Sequence, residues 1–301
     1  MAVFTKPSRT ILQQIADLQV KGMMVGDHQL AEHWLQHVSY YRLSIYWLPF
    51  ELPKGTPGPR FHAGTQFETA ASLYEFDRRL RLLIMDAIER IEVALRGSWA
   101  YELAHSGGPH AYLDASIYSD RTYFHQNFAK LARDVGDSKE TFIRHYRDIY
   151  DTPVMPPVWM VAEIMSLGQL SRWFSLIKKP SLRNAISKPF GLHESVLVPF
   201  VKHLATVRNT CAHHGRLWNR KFLLQFKIPT QPIDLAQSLD SNHSSPGPLY
   251  NSLVMMIFLM RAVNPGSSWS GRLKTLLASH PTGDLKSMGF PSNWQSRPLW
   301  K

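Results

Sequence analysis

The sequence predicts an all-α fold on three observations. Apolar residues recur at three- and four-residue steps along most of the chain, which is the period of one face of a helix. No segment shows a convincing alternation of apolar and polar residues, the pattern of a half-buried strand. The stretches between the apolar stripes are rich in helix-breaking residues, such as residues 51–64 with three Pro and three Gly.

Composition indicates a globular protein, and its charge leaves open whether a polyanion is its partner. The chain has 301 residues, of which 44% are hydrophobic, and this is enough apolar material for a core. A single Cys excludes an intrachain disulfide. The N-terminus shows no secretory signal. The most apolar run (residues 253–260) is too short to cross a bilayer. We therefore expect a cytoplasmic protein with no membrane partner. With Lys+Arg at 34 and Asp+Glu at 23, the net charge is +11, which favours nucleic acid as a partner; a merely basic protein remains the alternative.

Capping residues and apolar stripes place the helices of the first third. Ser8 is the candidate N-cap of a first helix. Asp27 is the candidate N-cap of a second, long helix, on which the apolar stripe runs from Leu30 to Tyr41. Thr65 and Glu68 have the spacing of a capping box, and the helix they open continues to about residue 105.

Further helices are predicted from the same periodicity. They cover residues 121–133, 139–150, 158–179 (with Gly168 as a weak point), 181–189, 193–217, 248–263 and 267–280. We divide the chain into an N-terminal helical region (1–60), a helical core (61–228) and C-terminal helices with a tail (229–301).

The segment RNTCAHHGRLWNR, residues 208–220, has the composition of a functional site. On an ideal helix Asn209 and His213 share a face, whereas Arg208 lies about 140° from His213. Histidine can act as general base or acid in RNA cleavage, and arginine can stabilise charge on the phosphate oxygens. The alternative is a helix terminus, where His and Arg bond the last carbonyls and offset the dipole. On residue types alone, that alternative is favoured.

The Arg208-x4-His213 spacing, with Asn209 directly after the arginine, resembles the motif of HEPN-superfamily ribonucleases. The chain also resembles the Abi family of bacterial abortive-infection proteins, of the AbiD/AbiF kind, in residues 38–50, 74–104, 159–174 and 207–220. The resemblance implies a HEPN-like helical bundle with an N-terminal extension and extra C-terminal helices.

The resemblance also implies an activity and its partners. It implies a homodimer in which two Arg–His motifs form one metal-independent RNase site, and a toxin controlled by or bound to a structured non-coding RNA. Arg208 and His213 would be catalytic and Asn209 would assist them, with His214 as a further supporting residue. Glu163, the acidic residue of an E-x-x-S-x-G stretch, would hold Arg208 or a histidine. No cofactor is implied.

Several basic and aromatic residues are candidates for contact with RNA. They are Arg216, Arg220 and Lys221 after the motif, the basic turn of Arg78, Arg79 and Arg81, and Arg42 with Tyr40. A solvated helix face is the alternative for the basic turn, and a core helix face is the alternative for most of the aromatic residues around Tyr40.

Two other functions remain open from the sequence. One is a non-catalytic RNA-binding module of a ribonucleoprotein, in which Arg208 and His213 hold phosphate. The other is a metal-dependent hydrolase, because His33 and His37 have the i, i+4 spacing of metal ligands. No Glu follows them as in HExxH, so isolated histidines are favoured and no metal site is predicted.

Overall fold

The computed structural model describes residues 3–5, 7–223, 226–241 and 246–301, and within them the predicted all-α fold is confirmed. These residues form no β-strand, only isolated bridges such as the one between Glu51 and Phe61. The α-helices of the described residues are α1 (Ile11–Val20), α2 (His28–His37), α3 (Tyr40–Trp47), α4 (Phe67–Gly107), α5 (Arg121–Asp137), α6 (Thr141–Ile149), α7 (Val158–Ile164), α8 (Leu167–Leu176), α9 (Pro180–Ser187), α10 (Glu194–Ala212), α11 (Ile233–Ser238), α12 (Tyr250–Val263) and α13 (Trp269–Ala278).

The chain divides into two compact units. The first is Met1–Leu80 with Lys274–Asp284, and the second is Arg81–Leu273 with Leu285–Lys301. The boundaries fall inside α4 and α13. The predicted division at residues 60 and 228 stays a prediction.

Aromatic side chains hold the first unit together. The Tyr74 ring meets Trp34 and Tyr46 edge-on, each with 5.5 Å between ring centroids. The buried Tyr46 hydroxyl donates to Asp77 Oδ2 at 2.7 Å. Edge-on aromatic pairs add attraction beyond their buried area, and the hydrogen bond satisfies a buried carboxylate oxygen.

The predicted helix after Asp27 is two helices. Asp27 is the N-cap of α2, as predicted, and its Oδ1 accepts from Leu30 N at 2.9 Å. The chain then breaks at Ser39, which has φ 75° and caps α3. Because the break resets the helical phase, the stripe that begins at Leu30 does not continue, and Tyr41 is 84% exposed instead of buried.

Two predicted helix starts are wrong. The N-cap of α1 is Thr10, not Ser8, and Thr10 forms a complete capping box with Gln13. The predicted box of Thr65 and Glu68 does not form either. The Thr65 hydroxyl donates to His62 O, and the Glu68 carboxylate accepts from the backbone of Gly26 and Asp27 at 2.9 and 3.0 Å.

In the second unit, α10 packs on α8 and α9, and α5 packs on α8. Trp173 of α8 is fully buried among aromatic rings, with Tyr118 5.2 Å and Phe124 5.8 Å away between centroids. This core fixes α10 and thereby the segment at its end.

The predicted helix over residues 158–179 is also two helices. It breaks at Ser166, not at Gly168. Ser166 has extended backbone angles and forms a capping box with Gln169, so it starts α8. Ser is favoured at the N-cap because its side-chain oxygen accepts from a backbone N–H of the first helical turn, and Ser166 does this for α8.

The C-terminal tail is packed, although its sequence looks irregular. Trp300 is buried and stacks on Tyr250 with 6.0 Å between centroids, and its indole N–H donates to the Tyr250 hydroxyl at 3.1 Å. Among the described residues, none of the helices combines the length and the apolar content that crossing a bilayer requires.

Candidate functional site

The candidate site lies where α10 ends. His213 is the C-cap, and its backbone N–H donates to Asn209 O at 3.0 Å. Gly215 N donates to Thr210 O at 2.8 Å and His214 N donates to Cys211 O at 3.0 Å. These two bonds form a Schellman motif, which satisfies the last carbonyls of the helix.

His214 and Gly215 complete this turn. His214 adopts φ 55°, the left-handed conformation that most L-residues avoid. A Cβ at position 215 would lie 3.0 Å from Thr210 Cγ2 and 3.1 Å from Thr210 O. Glycine at 215 therefore permits the close return of the chain over the last turn of α10.

Buried side chains anchor the segment on both sides of the turn. Cys211 points into the core from α10, and Leu217 and Trp218 are buried after the turn. The Cys and Trp of this unusual segment are thus packing residues. His213 and Asn209 are left at the surface.

The side chains of Arg208 and Asn209 contact each other, and the His213 side chain does not take part in this contact. The Arg208 Nη1 donates to Asn209 Oδ1 at 3.3 Å. Among the described residues, neither side chain hydrogen-bonds to His213, which is exposed. One chain therefore brings the arginine and the asparagine together but does not close an Arg–His pair.

Arg208 is half-buried and lines a cleft of about 870 Å³, which we call the Arg208 cleft. Both signs of charge line this cleft, and carboxylates slightly outnumber cations: Glu92, Asp134, Asp137, Glu140 and Glu163 against Arg96, Lys130, Lys139 and Arg208. A phosphate near Arg208 in this cleft would therefore also meet carboxylates.

Arg96 of α4 organises one wall of the Arg208 cleft. Its guanidinium donates to Glu92 Oε1 at 2.5 Å, to Met165 O at 2.7 Å and to Glu163 O at 3.2 Å. It thereby ties α4 to the turn between α7 and α8, where Ser166 caps α8.

Glu163 faces Arg96 instead of Arg208. Its side chain is 57% exposed, and its Oε2 lies 3.7 Å from Arg96 Nη1. Both Glu163 and Arg208 line the Arg208 cleft, but no ion pair joins them within the described chain. That Glu163 holds Arg208 or a histidine stays a prediction.

The three basic residues after the motif differ in exposure. Arg220 and Lys221 are exposed and Arg216 is half-buried. The Arg220 guanidinium lies over the Phe222 ring, 5.7 Å from its centroid. The contact of these three residues with RNA stays a prediction.

The basic turn of α4 is smaller than predicted. Arg78 and Arg79 are exposed, and Arg78 pairs with Glu75 at 3.0 Å. Arg81 is only 5% exposed, which disfavours contact with RNA at this position, and the contact of the basic turn with RNA stays a prediction. Helical periodicity explains the difference, because Arg81 lies one turn after the buried Asp77 and on the same face.

Tyr40 and Arg42 are both half-buried at the start of α3. The Tyr40 hydroxyl accepts from Lys21 Nζ at 3.3 Å, and its ring packs edge-on against Trp47. Tyr40 therefore packs partly into the first unit, and the contact of Tyr40 and Arg42 with RNA stays a prediction.

No group of three or more His, Cys, Asp or Glu side chains in the described residues could hold a metal ion. His33 and His37 do lie together, with 4.5 Å between ring centroids.

Arg96 is a structural member of the site that the sequence does not predict. Its i, i+4 spacing from Glu92 indicates a surface ion pair, but Arg96 also bonds two carbonyls far along the chain. Only the packing of α4 beside the α7–α8 turn reveals this role.

The fold and the site define an all-α protein with an Arg–Asn–His segment at the end of a packed helix. A family model described as Abi-like protein matches residues 33–219, which is more than half of the chain. The chain therefore belongs to the Abi-like protein family, which points to abortive infection. The comparison with curated proteins found no match, and neither did the comparison with solved structures.

Proposed function

We propose that this protein is a metal-independent HEPN-type endoribonuclease that acts in abortive infection. The observation that carries the proposal is the end of α10 in a chain of the Abi-like family. There His213 is exposed, Arg208 and Asn209 are joined by a hydrogen bond, and basic residues follow at once.

These residues suit cleavage by the neighbouring 2′-hydroxyl. His213 takes the proton of the 2′-hydroxyl, whose oxygen attacks the adjacent phosphorus, and the bond from phosphorus to the 5′-oxygen breaks. Arg208 stabilises the charge on the non-bridging oxygens, and Asn209 positions the Arg208 guanidinium. The departing 5′-oxygen takes a proton from solvent water and His213 afterwards releases its own proton to solvent, so the products carry a 2′,3′-cyclic phosphate and a 5′-hydroxyl.

A second copy of the chain would complete the site. Within one chain Arg208 is hydrogen-bonded to Asn209 and lines a cleft, whereas His213 faces outward. In a homodimer, the motif of one protomer supplies the arginine opposite the histidine of the other. A structured non-coding RNA bound to the basic surface would then control the toxin.

The separation of Arg208 from His213 also favours a second candidate function, a non-catalytic RNA-binding module. In that case the exposed cations hold phosphates, and no proton transfer occurs. Both functions require RNA binding that weakens with salt, but only the first requires cut RNA.

The deciding experiment is an RNA cleavage assay in EDTA with analysis of the product ends. Wild type is compared with Arg208→Ala and His213→Ala. Arg144→Ala and His145→Ala serve as matched controls, because both residues are exposed on α6. We expect cyclic-phosphate ends that vanish in the two α10 variants and persist in the two α6 variants.

Uncut RNA that wild type and the α6 variants bind, and that Arg208→Ala and His213→Ala bind more weakly, would reject the ribonuclease and favour the binding module. Cleavage that survives Arg208→Ala and His213→Ala would reject this segment as the active site. Cleavage that EDTA abolishes would indicate a metal-dependent reaction instead.

A further inference from the structure

A pocket in the first unit, remote in sequence from the α10 segment, has the features of a ligand site. Its volume is about 610 Å³, within the range of about 300–1,000 Å³ that small-molecule sites occupy. Residues of α1 and α3 line it at helical spacing, and we call it the α1–α3 pocket. Its lining includes Gln14 and Lys21 of the α1 side and Tyr40, Tyr41 and Trp47 of α3.

The aromatic side of the pocket offers an uncovered ring. Trp47 is buried at 1% exposure and forms the floor, with Tyr40 edge-on against it at 5.1 Å between centroids. Tyr41 stands on the rim and is 84% exposed. An exposed aromatic ring beside an apolar floor is a platform on which a nucleobase can stack.

The charged side of the pocket retains one uncompensated cation. Arg9 pairs with Asp17, and Arg60 donates to Glu51 Oε2 at 2.7 Å, a hydrogen bond that raises the pKa of Arg60. The Lys21 ammonium, in contrast, donates only to the neutral Tyr40 hydroxyl among the described residues, at 3.3 Å. Its ammonium is therefore the group in this pocket that an incoming phosphate would pair with.

Gln14 adds an acceptor that has no partner. Its Nε2 donates to Arg9 O at 3.1 Å, but its Oε1 is shielded from water and has no hydrogen bond within the described residues. A hydrogen bond to this oxygen would remove the free-energy cost of an unsatisfied acceptor. After a rotation about the Gln14 side-chain bonds, the oxygen could accept from a ligand donor such as the exocyclic amine of a base.

We propose that the α1–α3 pocket binds one nucleotide. The base stacks on Tyr41 above Trp47, Gln14 accepts from the base, and Lys21 binds the phosphate. The nucleotide comes either from solution or from an RNA chain, since both present the same base and phosphate. This site is separate from the proposed cleavage residues and does not require cleavage.

The test is calorimetric titration of the full-length chain carrying His213→Ala, so that no outcome depends on cleavage. The probes are adenosine 5′-monophosphate, uridine 5′-monophosphate, a tetranucleotide RNA and inorganic phosphate. We expect saturable binding of a nucleotide probe and at least about tenfold weaker binding of phosphate alone. Tyr41→Ala should weaken nucleotide binding by about tenfold, and Lys21→Met should weaken it and flatten its salt dependence.

The controls are Tyr123→Ala and Lys54→Ala, two exposed positions outside the pocket. Tyr41 is exposed, so its substitution should leave the fold intact. Mononucleotide binding as tight as that of the tetranucleotide identifies a site for a free nucleotide. Binding of the tetranucleotide alone, weakened by the two pocket variants, identifies a nucleotide of an RNA chain. Absence of saturable binding, or equal affinity in wild-type and pocket variants, overturns the proposal.

Discussion

At the scale of single residues, His214 combines an unusual backbone with a position beside the proposed catalytic histidine. Its φ of 55° gives the Schellman turn its left-handed residue, and the backbone of Gly215 then packs closely against Thr210. The turn fixes where His213 leaves the helix. The His-His-Gly sequence is thus explained first by the geometry of a helix end, and catalysis would use the exposure that this geometry provides.

Substitution of His214 tests the backbone requirement. We expect His214→Val to lower the free energy of unfolding by about 1–2 kcal/mol relative to His214→Gly, because a β-branched residue is strained at positive φ. Both variants lose the imidazole, so their difference isolates the backbone. Denaturant unfolding of the two proteins measures it, and equal midpoints would contradict the left-handed turn.

Arg96 allows a second prediction at this scale. Arg96→Met removes two donors to backbone carbonyls and leaves the nearly buried Glu92 carboxylate without its cation. We expect a loss of about 2–4 kcal/mol in the free energy of unfolding, since breaking a buried pair leaves an uncompensated charge.

The matched control for Arg96→Met is Arg78→Met on the same helix. Arg78 pairs with Glu75 at the surface, and such a pair contributes about 0–1 kcal/mol. Similar losses in the two variants would show that Arg96 does not tie α4 to the turn between α7 and α8.

At the scale of elements, the sequence predicts the long helices better than the breaks between short ones. α4, α5 and α10 have apolar stripes over many turns, so their existence follows from periodicity alone. The breaks at Ser39 and Ser166 contain neither Pro nor Gly, and a continued stripe masks them. The exposure of Tyr41 depends on the break at Ser39, which the sequence leaves open.

The Ser39 break can be tested directly. Ser39 has φ 75° and ψ 148°, a region that residues other than glycine seldom occupy, and its hydroxyl accepts from Arg42 N at 3.4 Å. We expect Ser39→Gly to raise the free energy of unfolding by about 1 kcal/mol, because relief of backbone strain exceeds the loss of a long cap bond. Ser39→Ala keeps the strain and loses the cap, so it should be less stable than wild type. Thermal unfolding of the three proteins measures the order of their stabilities. A lowest stability for Ser39→Gly would contradict the strain at Ser39.

At the scale of the whole molecule, the separation of Arg208 from His213 is the feature that the proposed function must explain. The helix wheel already places the two residues about 140° apart, and the structure adds that Arg208 bonds Asn209 and lines a cleft with several carboxylates. A site shared between two protomers accounts for this arrangement. A site within one protomer would need Arg208 to leave Asn209 and reach round the helix.

Mixing two inactive variants distinguishes these arrangements. Arg208→Ala and His213→Ala homodimers each lack one of the two groups. A mixed dimer has one intact arginine and one intact histidine on opposite chains. If the shared site needs only that pair, a random mixture should recover up to about half of the wild-type cleavage rate, the share of mixed dimers expected for a symmetric homodimer.

The rate is measured after the variants are co-refolded, with each variant alone as the control. Recovery shows that the two residues act across the interface, whereas a mixture as inactive as its components would reject a site made from one arginine and one histidine of opposite protomers.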